Sequence, residues 1–488
     1  MSGSSDAAKG RADAEARQSF AIPLVLVWLS IFLVSLDFSA INVALPTLTA
    51  YFHASTSGVS WASIAYMLSM VTLLPVSGFL IARIGPGRSL TLGLAVFAAA
   101  SAGAALSGSL ALLGALRAIQ GCGAAIMYVI GPVLIRSCFP DLQQKRAFAL
   151  YATGSFTGLV AGPVVGGAFT EAFGWQAVFW MNLPMSAVAF VLARVFFGRT
   201  PSGAEPLSRR MPRPISVAGL SLSVGALVLA LNQGQEWGWR SLPILTLFGL
   251  GAAAAAAVWA AEQSAQVRLV DAQILDAGGF VTATLIIAAV SAGMGGLNFV
   301  LPFYFEWFRG LDTDAMGRTV SILPLATVAT SILLGLLPSG PAARTQCIAG
   351  LVAVLAGYGA LIVADHATPV PALLAALALV GCGIGLTLPA LLHASLLQVP
   401  PDLVAPAGSA QATLRVLSQL LGLVAFETIL SQLSPGTFTG APRSGAVPAD
   451  MQSGFHAVFI CGALLALAAV PALARLKPGS ARNEKGST

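Results

Sequence analysis

Five charged side chains interrupt the apolar stretches of this 488-residue sequence, and they are the residues with chemistry to offer. Asp37 stands in LDFSAINVALP (36–46), five residues before Asn42. Arg117 and Gln120 lie three apart in RAIQGCGAA (117–125). Glu306 is in LPFYFEWFRG (301–310), and Arg415 opens RVLSQLLG (415–422), with Glu427 twelve residues beyond it. An ionised carboxylate in hydrocarbon costs a few kcal/mol or more, so such a residue faces a cavity or a partner and marks a pathway. Burial penalises the charged form, which makes reversible protonation the chemistry expected of Asp37. Arginine keeps its proton at every relevant pH, so a buried Arg117 needs a carboxylate, a carbonyl or water. The three-residue spacing puts Arg117 and Gln120 on one helix face. Arg415 and Glu427 fall about 120° apart around a helix and are not expected to pair with each other. Either glutamate could attract a cationic substrate or carry a second proton, but Glu306, near the end of its apolar run, is expected simply to be solvated.

The elements that must position these residues follow from composition. The chain is 57% hydrophobic and 9% charged, with a mean hydropathy of +0.84, whereas a soluble domain carries about a quarter charged residues. Apolar runs long enough to cross ~30 Å of hydrocarbon as helices recur along the whole length. Fourteen spans are expected, near 22–46, 58–81, 88–108, 110–135, 146–171, 175–198, 214–233, 241–262, 278–305, 317–339, 343–363, 370–393, 404–431 and 455–475. Asp37 then lies roughly 22 Å along the first span, and it is the one carboxylate placed inside the first six.

Orientation can be tested on the basic residues. Loops on the N-terminal side of the spans hold 19 Lys and Arg, and loops on the other side hold four, Arg240, Arg309, Arg318 and Arg443. That bias places both termini in the cytoplasm, as for a multi-pass protein of the cell membrane. It also accounts for the net charge of +6 without a nucleic-acid partner, since no basic patch interleaves with aromatics. Residues 1–21 read as a disordered cytoplasmic tail, 199–213 as a Pro-rich basic linker, 263–277 as a second cytoplasmic connection, 432–454 as a flexible outer loop and 476–488 as a C-terminal tail. The five cysteines are scattered in or beside apolar runs, and His53, His366 and His456 fall in loops with His393 alone at a helix end, so neither a disulfide framework nor a metal site is indicated.

Several segments in chain order carry a family resemblance. LDFSAINVALP followed by SWASIAYML (60–68) resembles the opening of the fourteen-helix drug:proton antiporters of the major facilitator superfamily. GFLIARIGPGR (78–88) resembles that superfamily's loop 2–3 motif, RAIQGCGAA its helix-4 motif, GLVAGPVVGG (158–167) its helix-5 antiporter motif, and GWQAVFWMNLP (174–184) the start of helix 6. LPFYFEWFRG and RVLSQLLG match the second half less closely. The loop motif departs from the family at Ala82, where an acidic residue is usual, while Gly78, Arg83, Gly85 and Arg88 remain. That departure removes the family's charged gate latch or moves it to another acid such as Asp141.

The resemblance implies an all-α polytopic membrane protein of the major facilitator fold: two six-helix bundles (22–198 and 278–475), each of 3+3 inverted repeats, plus two inserted helices (214–262) expected at the periphery, shaping the fold and not the path. It implies that Arg117 lies near the first span and relays between substrate and proton states. Asp37 and Glu427 are the candidate proton carriers beside it. Asn42, Trp61, Tyr66, Gln120, Glu306 and Arg415 are the candidates for the substrate path, although the family usually has glutamine at the position of Glu306, and Gly78, Arg83, Gly85 and Arg88 are candidates for a gate. Gly158, Gly162 and Gly166 recur every four residues as a flat ridge for close helix packing, and Pro163 removes one ladder hydrogen bond. With Gly167 they form the bend that, by the resemblance, seals the central path during exchange.

The function expected is proton-driven export of small amphipathic compounds by a monomer in the lipid bilayer, with no cofactor beyond the proton gradient. No phosphate-binding loop implies ATP, and GCGIG (381–385) sits in an apolar run, not after a strand. Export of one dedicated metabolite, siderophore or lipid on the same fold is the alternative, with uptake less favoured. An intramembrane enzyme would need a clustered His/Ser/Asp set that the spans do not offer.

Overall fold

The computed structural model describes residues 3–139, 141–199, 214–263, 278–336, 343–396, 398–399, 404–433 and 449–475. Among these every regular element is a helix, as a bilayer requires, because a helix satisfies its own backbone N–H and C=O groups. The first half comprises α1 (Gly3–Phe52), α2 (Thr56–Ile84), α3 (Pro86–Ala105), α4 (Leu110–Cys138), α5 (Asp141–Phe173), the single turn α6 (Ala177–Trp180) and α7 (Asn182–Arg199). Two helices follow, α8 (Pro214–Trp237) and α9 (Leu242–Gln263). The second half comprises α10 (Gly278–Phe303) with a π-helical turn at Tyr304–Phe308, α11 (Thr313–Val320), α12 (Ile322–Leu336), α13 (Ala343–Ile362), α14 (Val370–Leu396), α15 (Val404–Leu433) and α16 (Ala449–Arg475).

Fourteen stretches among the described residues are long and apolar enough to span a membrane, from Ile22–Phe52 to Met451–Leu473. They coincide with the expected spans to within a few residues at most ends. The first span continues through Pro46 to Phe52, and the tenth begins at Thr313, bending at Ser321 between α11 and α12. Because the spans alternate in direction, one face of the molecule carries the start of the first span and the end of the last; it is called the near side here, and the opposite face the far side. Far-side turns are built by local side-chain caps. Ser55, Ser109 and Asp312 accept hydrogen bonds from the backbone N–H groups of Gly58, Leu112 and Ala315, replacing partners that a helix start lacks. On the near side, α2 passes to α3 through Gly85 alone, at φ +86°, a left-handed conformation that a side chain would strain.

Two expectations need correction. The N-terminal segment is helical from Gly3 and not a disordered tail, since its Ala, Glu, Arg and Gln are good helix formers continuous with the first span. His456 lies inside α16, where its ring bonds the carbonyl of Ala364 at 2.8 Å, and not in a loop. The segments 200–213, 264–277, 434–448 and 476–488 fall outside the described residues, and with them most of the linker, connection, outer loop and C-terminal tail.

Within the first half, α1 packs on α5, and α4 on α2 and α3; within the second, α10 packs on α15 and α16, and α14 on α12 and α13. The halves meet along α2–α15, α5–α11 and α1–α10. The inserted pair divides in character. α9 packs mainly on α8 and leaves most of its surface outside, as expected. α8 packs on α2 of one half and α15 of the other, so it is not peripheral.

Candidate functional site

The glycine ridge of α5 determines how closely the helix carrying Asp37 can be held. An added Cβ at Gly158 would lie 2.6 Å from the carbonyl of Phe32, at Gly162 1.9 Å from the Ser39 hydroxyl, and at Gly166 2.9 Å from Ala40 Cβ. Ser39 donates across this contact to the carbonyl of Gly158 at 3.2 Å. The ridge therefore joins α1 to α5 inside one half.

Asp37 is directed from α1 into the middle of that half, where it is wholly enclosed. Arg117 on α4 donates to Asp37 Oδ2 at 2.6 Å, and Gln120 and Asn182 donate to Oδ1 at 2.9 and 2.6 Å. Arg117 Nε also donates to the carbonyl of Ala62 at 2.6 Å, and its Nη1 is shared with Gln120 Oε1 at 2.7 Å. Ser101 on α3 accepts from both Gln120 and Asn182 and donates to the carbonyl of Phe179. The guanidinium lies over the Tyr66 ring at 4.3 Å. Asp37, Arg117, Gln120 and Asn182 are each 0% exposed. Spacing alone puts Arg117 and Gln120 on one face, but the first, second, third, fourth and sixth spans together enclose the carboxylate. Ser101 and Asn182 carry no charge and were not singled out; the signal for Asn182 was its place inside the quoted GWQAVFWMNLP segment.

A buried ion pair is weak evidence for stability, because desolvation offsets much of its Coulomb attraction. Here the cluster also leaves Arg117 Nη2, the Tyr66 hydroxyl and Asn182 Oδ1 buried with no hydrogen-bond partner. Buried polar atoms are nearly always paired, so a cluster of unmet ones marks a functional arrangement more than a structural one.

The other sequence candidates separate into three groups. Asn42 and Tyr66 are buried in the first half, Asn42 accepting from Ser63 at 2.9 Å. Trp61 is turned to an apolar groove between α2 and α4, lined also by Gly58, Ala65, Leu110 and Gly114. The structure thus does not bring Trp61 to the Asp37 cluster or to the seam between the halves.

Between the halves on the far side, Gly167 and Gly317 pack backbone to backbone. A Cβ on Gly317 would stand 2.2 Å from the carbonyl oxygen of Pro163, and one on Gly167 2.8 Å from that of Thr313. Of the α5 glycines named from sequence, Gly167 is the one whose backbone meets the other half; Gly317 was missed, since a lone glycine in DTDAMGRTV carries no repeat. On the near side the loop 2–3 motif is open: Gly78, Arg83 and Arg88 are exposed, and a Cβ at Gly78 would meet nothing within 4 Å. The side chains of Ala82 and Asp141 lie outside the described residues.

Glu427 and Glu306 lie in the far-side half of the molecule. Glu427 is 0% exposed and accepts from Asn232 of α8 at 3.2 Å; the same amide donates to Ser60 of α2 at 3.0 Å. Ser57 and Thr428 donate to the carbonyls of Asn232 and Leu231. The inserted helix is thus tied at its far end to both halves. Replacing Asn232 with Ala is expected to weaken far-side closure by ~1.5–3 kcal/mol, the usual worth of a hydrogen bond to a charged group. Spin labels at Gly108→Cys and Ala367→Cys, on far-side loops of opposite halves, would report a larger population of long distances; an unchanged distribution would remove the role of Asn232. Glu306, expected to be solvated, is half-buried on the π turn, and its Oε2 is shut off from solvent without a partner, because Tyr304, Phe305 and Phe308 bury the segment that carries it. Arg415 bonds the Tyr128 hydroxyl across the seam between the halves.

Comparison with known proteins agrees with this architecture. The chain is 26% identical over 415 residues to the multidrug resistance protein Stp of Mycobacterium tuberculosis, covering 84% of this chain and 76% of that protein. It is 28% identical over 450 residues to the riboflavin transporter RibZ of Clostridioides difficile, covering 90% and 95%. The crystal structure of the peptide transporter POT in complex with sulfate superposes with a TM-score of 0.67 at 16% identity, over 94% of this chain and 96% of that one, which shows a common fold. The family model described as Major Facilitator Superfamily matches residues 27–423. With its fourteen spans and two halves around one seam, the chain belongs to the Major Facilitator Superfamily and is a membrane transporter.

Proposed function

We propose that this transporter exports small amphipathic compounds in exchange for protons, with Asp37 as the coupling carboxylate. The observation that carries the reading is the enclosed Asp37–Arg117 pair, one titratable group and one permanent cation at 2.6 Å with no exposure. A proton reaching Asp37 removes the counter-charge of Arg117, and a buried guanidinium without a carboxylate must find new partners. The present cluster draws on five helices, α1, α2, α3, α4 and α7, so neutralising Asp37 disturbs contacts across the whole half. Likeness to the multidrug resistance protein Stp, and to a methylenomycin A resistance protein of Streptomyces coelicolor at 26% identity over 401 residues, supports export of toxic small molecules. The excess of Lys and Arg on the near side supports a cytoplasmic placement of both termini in the cell membrane. The protein works as a monomer, with its path between its own two halves.

The second reading is a carrier dedicated to one metabolite, favoured by the likeness to a riboflavin transporter along 95% of that protein. Everted membrane vesicles decide direction and energy source together. An acid-inside gradient should drive accumulation of a fluorescent amphipathic substrate, and a protonophore should return it to the level of vesicles lacking the protein. Accumulation indifferent to the protonophore, or movement only in the opposite direction, would refute proton-driven export. A panel of toxic compounds in a pump-depleted bacterium then separates a broad exporter from a dedicated one.

A further inference from the structure

We infer that Arg415 is an anion anchor in the substrate path, and that the compounds this transporter prefers carry a carboxylate or similar anion on a planar aromatic body. The inference rests on the transport reading above and adds a substrate class to it. Two charged side chains among the described spans are cationic at their core, Arg117 and Arg415. Arg117 is consumed by Asp37, by Gln120 and by the carbonyl of Ala62. Arg415 is half-buried and meets a neutral group, the Tyr128 hydroxyl, through Nη2 alone. A guanidinium has five N–H donors in a rigid fork suited to a carboxylate. Here most of the fork is unused, and no carboxylate among the described residues forms an ion pair with it. Glu427 lies on the same helix about 18 Å further toward the far side, so it does not neutralise Arg415 locally.

The surroundings give the rest of the ligand. Arg415 projects from α15 of one half to α4 of the other, five residues inside the near end of its span (Ala410–Leu433). Its partner Tyr128 is held by Tyr151, whose hydroxyl donates to the Tyr128 carbonyl at 3.0 Å. Three residues along α5, Gly154 packs on Trp28, and Trp28 stacks on Phe32 at 4.8 Å. These four rings are all half-buried. Tyr128 and Tyr151 adjoin the cation and its unused donors, with the Trp28–Phe32 stack packed against the same stretch of α5, so an aromatic body can stack on the tyrosines while its anion takes the fork. Cationic amphiphiles would meet like charge at the same place.

Purified protein in nanodiscs and a matched trio of probes test this: naphthalene carboxylate, the corresponding carboxamide and the corresponding aminomethyl compound, followed by quenching of tryptophan fluorescence. The carboxylate should bind about tenfold tighter than the carboxamide, and the cationic probe more weakly than either. Arg415→Gln should erase the preference for the carboxylate, bringing its affinity down to that of the carboxamide. Arg415→Lys, which keeps the charge and loses the fork, should retain part of it and serves if the Gln variant does not fold. Equal binding of the three probes, preference for the cation, or a carboxylate preference that survives Arg415→Gln would each overturn the inference. Selective binding without proton-driven transport would instead leave the anchor standing and defeat the export reading. Transport of cations that is unaffected by Arg415→Gln would do the reverse.

Discussion

Replacing Asp37 with Asn is expected to abolish uphill export in everted vesicles while leaving exchange of substrate for substrate across an ungraded membrane. The asparagine keeps the shape of the side chain, and its amide oxygen, with two lone pairs, can still accept from both Gln120 and Asn182. It cannot release and regain a proton, so the transition that must be coupled to the gradient loses its link. The substitution also leaves Arg117 as a buried charge with no carboxylate. Removing one member of a buried pair typically costs ~3–5 kcal/mol, so lower thermal stability in detergent should accompany the loss. The two effects are separable in the double variant Asp37→Asn/Arg117→Gln, which removes both charges. There stability should recover much of what was lost, and uphill transport should stay at the level of empty vesicles. Full gradient-driven accumulation by Asp37→Asn, at equal expression, would remove Asp37 from the coupling mechanism. Recovery of uphill transport in the double variant would show that the carboxylate acts only by holding Arg117.

Gly317→Ala should trap the transporter open on its far side without unfolding it. The added Cβ would sit 2.2 Å from the carbonyl oxygen of Pro163, and a backbone atom in a helix cannot step aside as the end of a flexible side chain can. The contact is between halves, so rocking them apart relieves it at no cost to either. A closed state made unfavourable by about 3 kcal/mol falls in population by a factor of about a hundred. Export should drop strongly, and spin labels at Gly108→Cys and Ala367→Cys should report a closed-to-open ratio lowered about a hundredfold, with a much larger population of long distances. Gly162→Ala provides the contrast. Its Cβ would lie 1.9 Å from the Ser39 hydroxyl and 2.9 Å from the backbone of Ala40, both in the same half, so no rocking can relieve it. That variant should lose stability and expression and leave the distance distribution of its folded fraction alone. If Gly317→Ala transports normally, far-side apposition through Gly167 and Gly317 is no part of the cycle.

The two glycines show how one sequence feature divides in three dimensions. Gly158, Gly162, Gly166 and Gly167 lie on one helix; spacing makes the first three one packing ridge, and the resemblance adds Gly167 to the same bend. Three of them turn to α1 and stabilise a half. The fourth, one position out of register, turns to α11 and belongs to the contact that must open. About 100° of rotation per residue separates these roles, and whether a neighbour lies within the same half is information no helix carries by itself.

The sequence alone determined what depends on local chemistry. Hydropathy along a span is a sum over its own residues, so the fourteen spans were legible before any contact was known. So was the expectation that Asp37 and Arg117 need company, because desolvation penalises a charge whatever its neighbours. Only the tertiary structure decided which company. Ser101 and Asn182 complete the Asp37 cluster from helices far along the chain, and Asn232 reaches Glu427 across 195 residues. In a bilayer the hydrophobic effect does not drive one helix toward another, so pairing is set by close packing and hydrogen bonds between particular faces. Those faces are non-local, and uncharged Ser and Asn residues in apolar runs do not announce which partner they will meet.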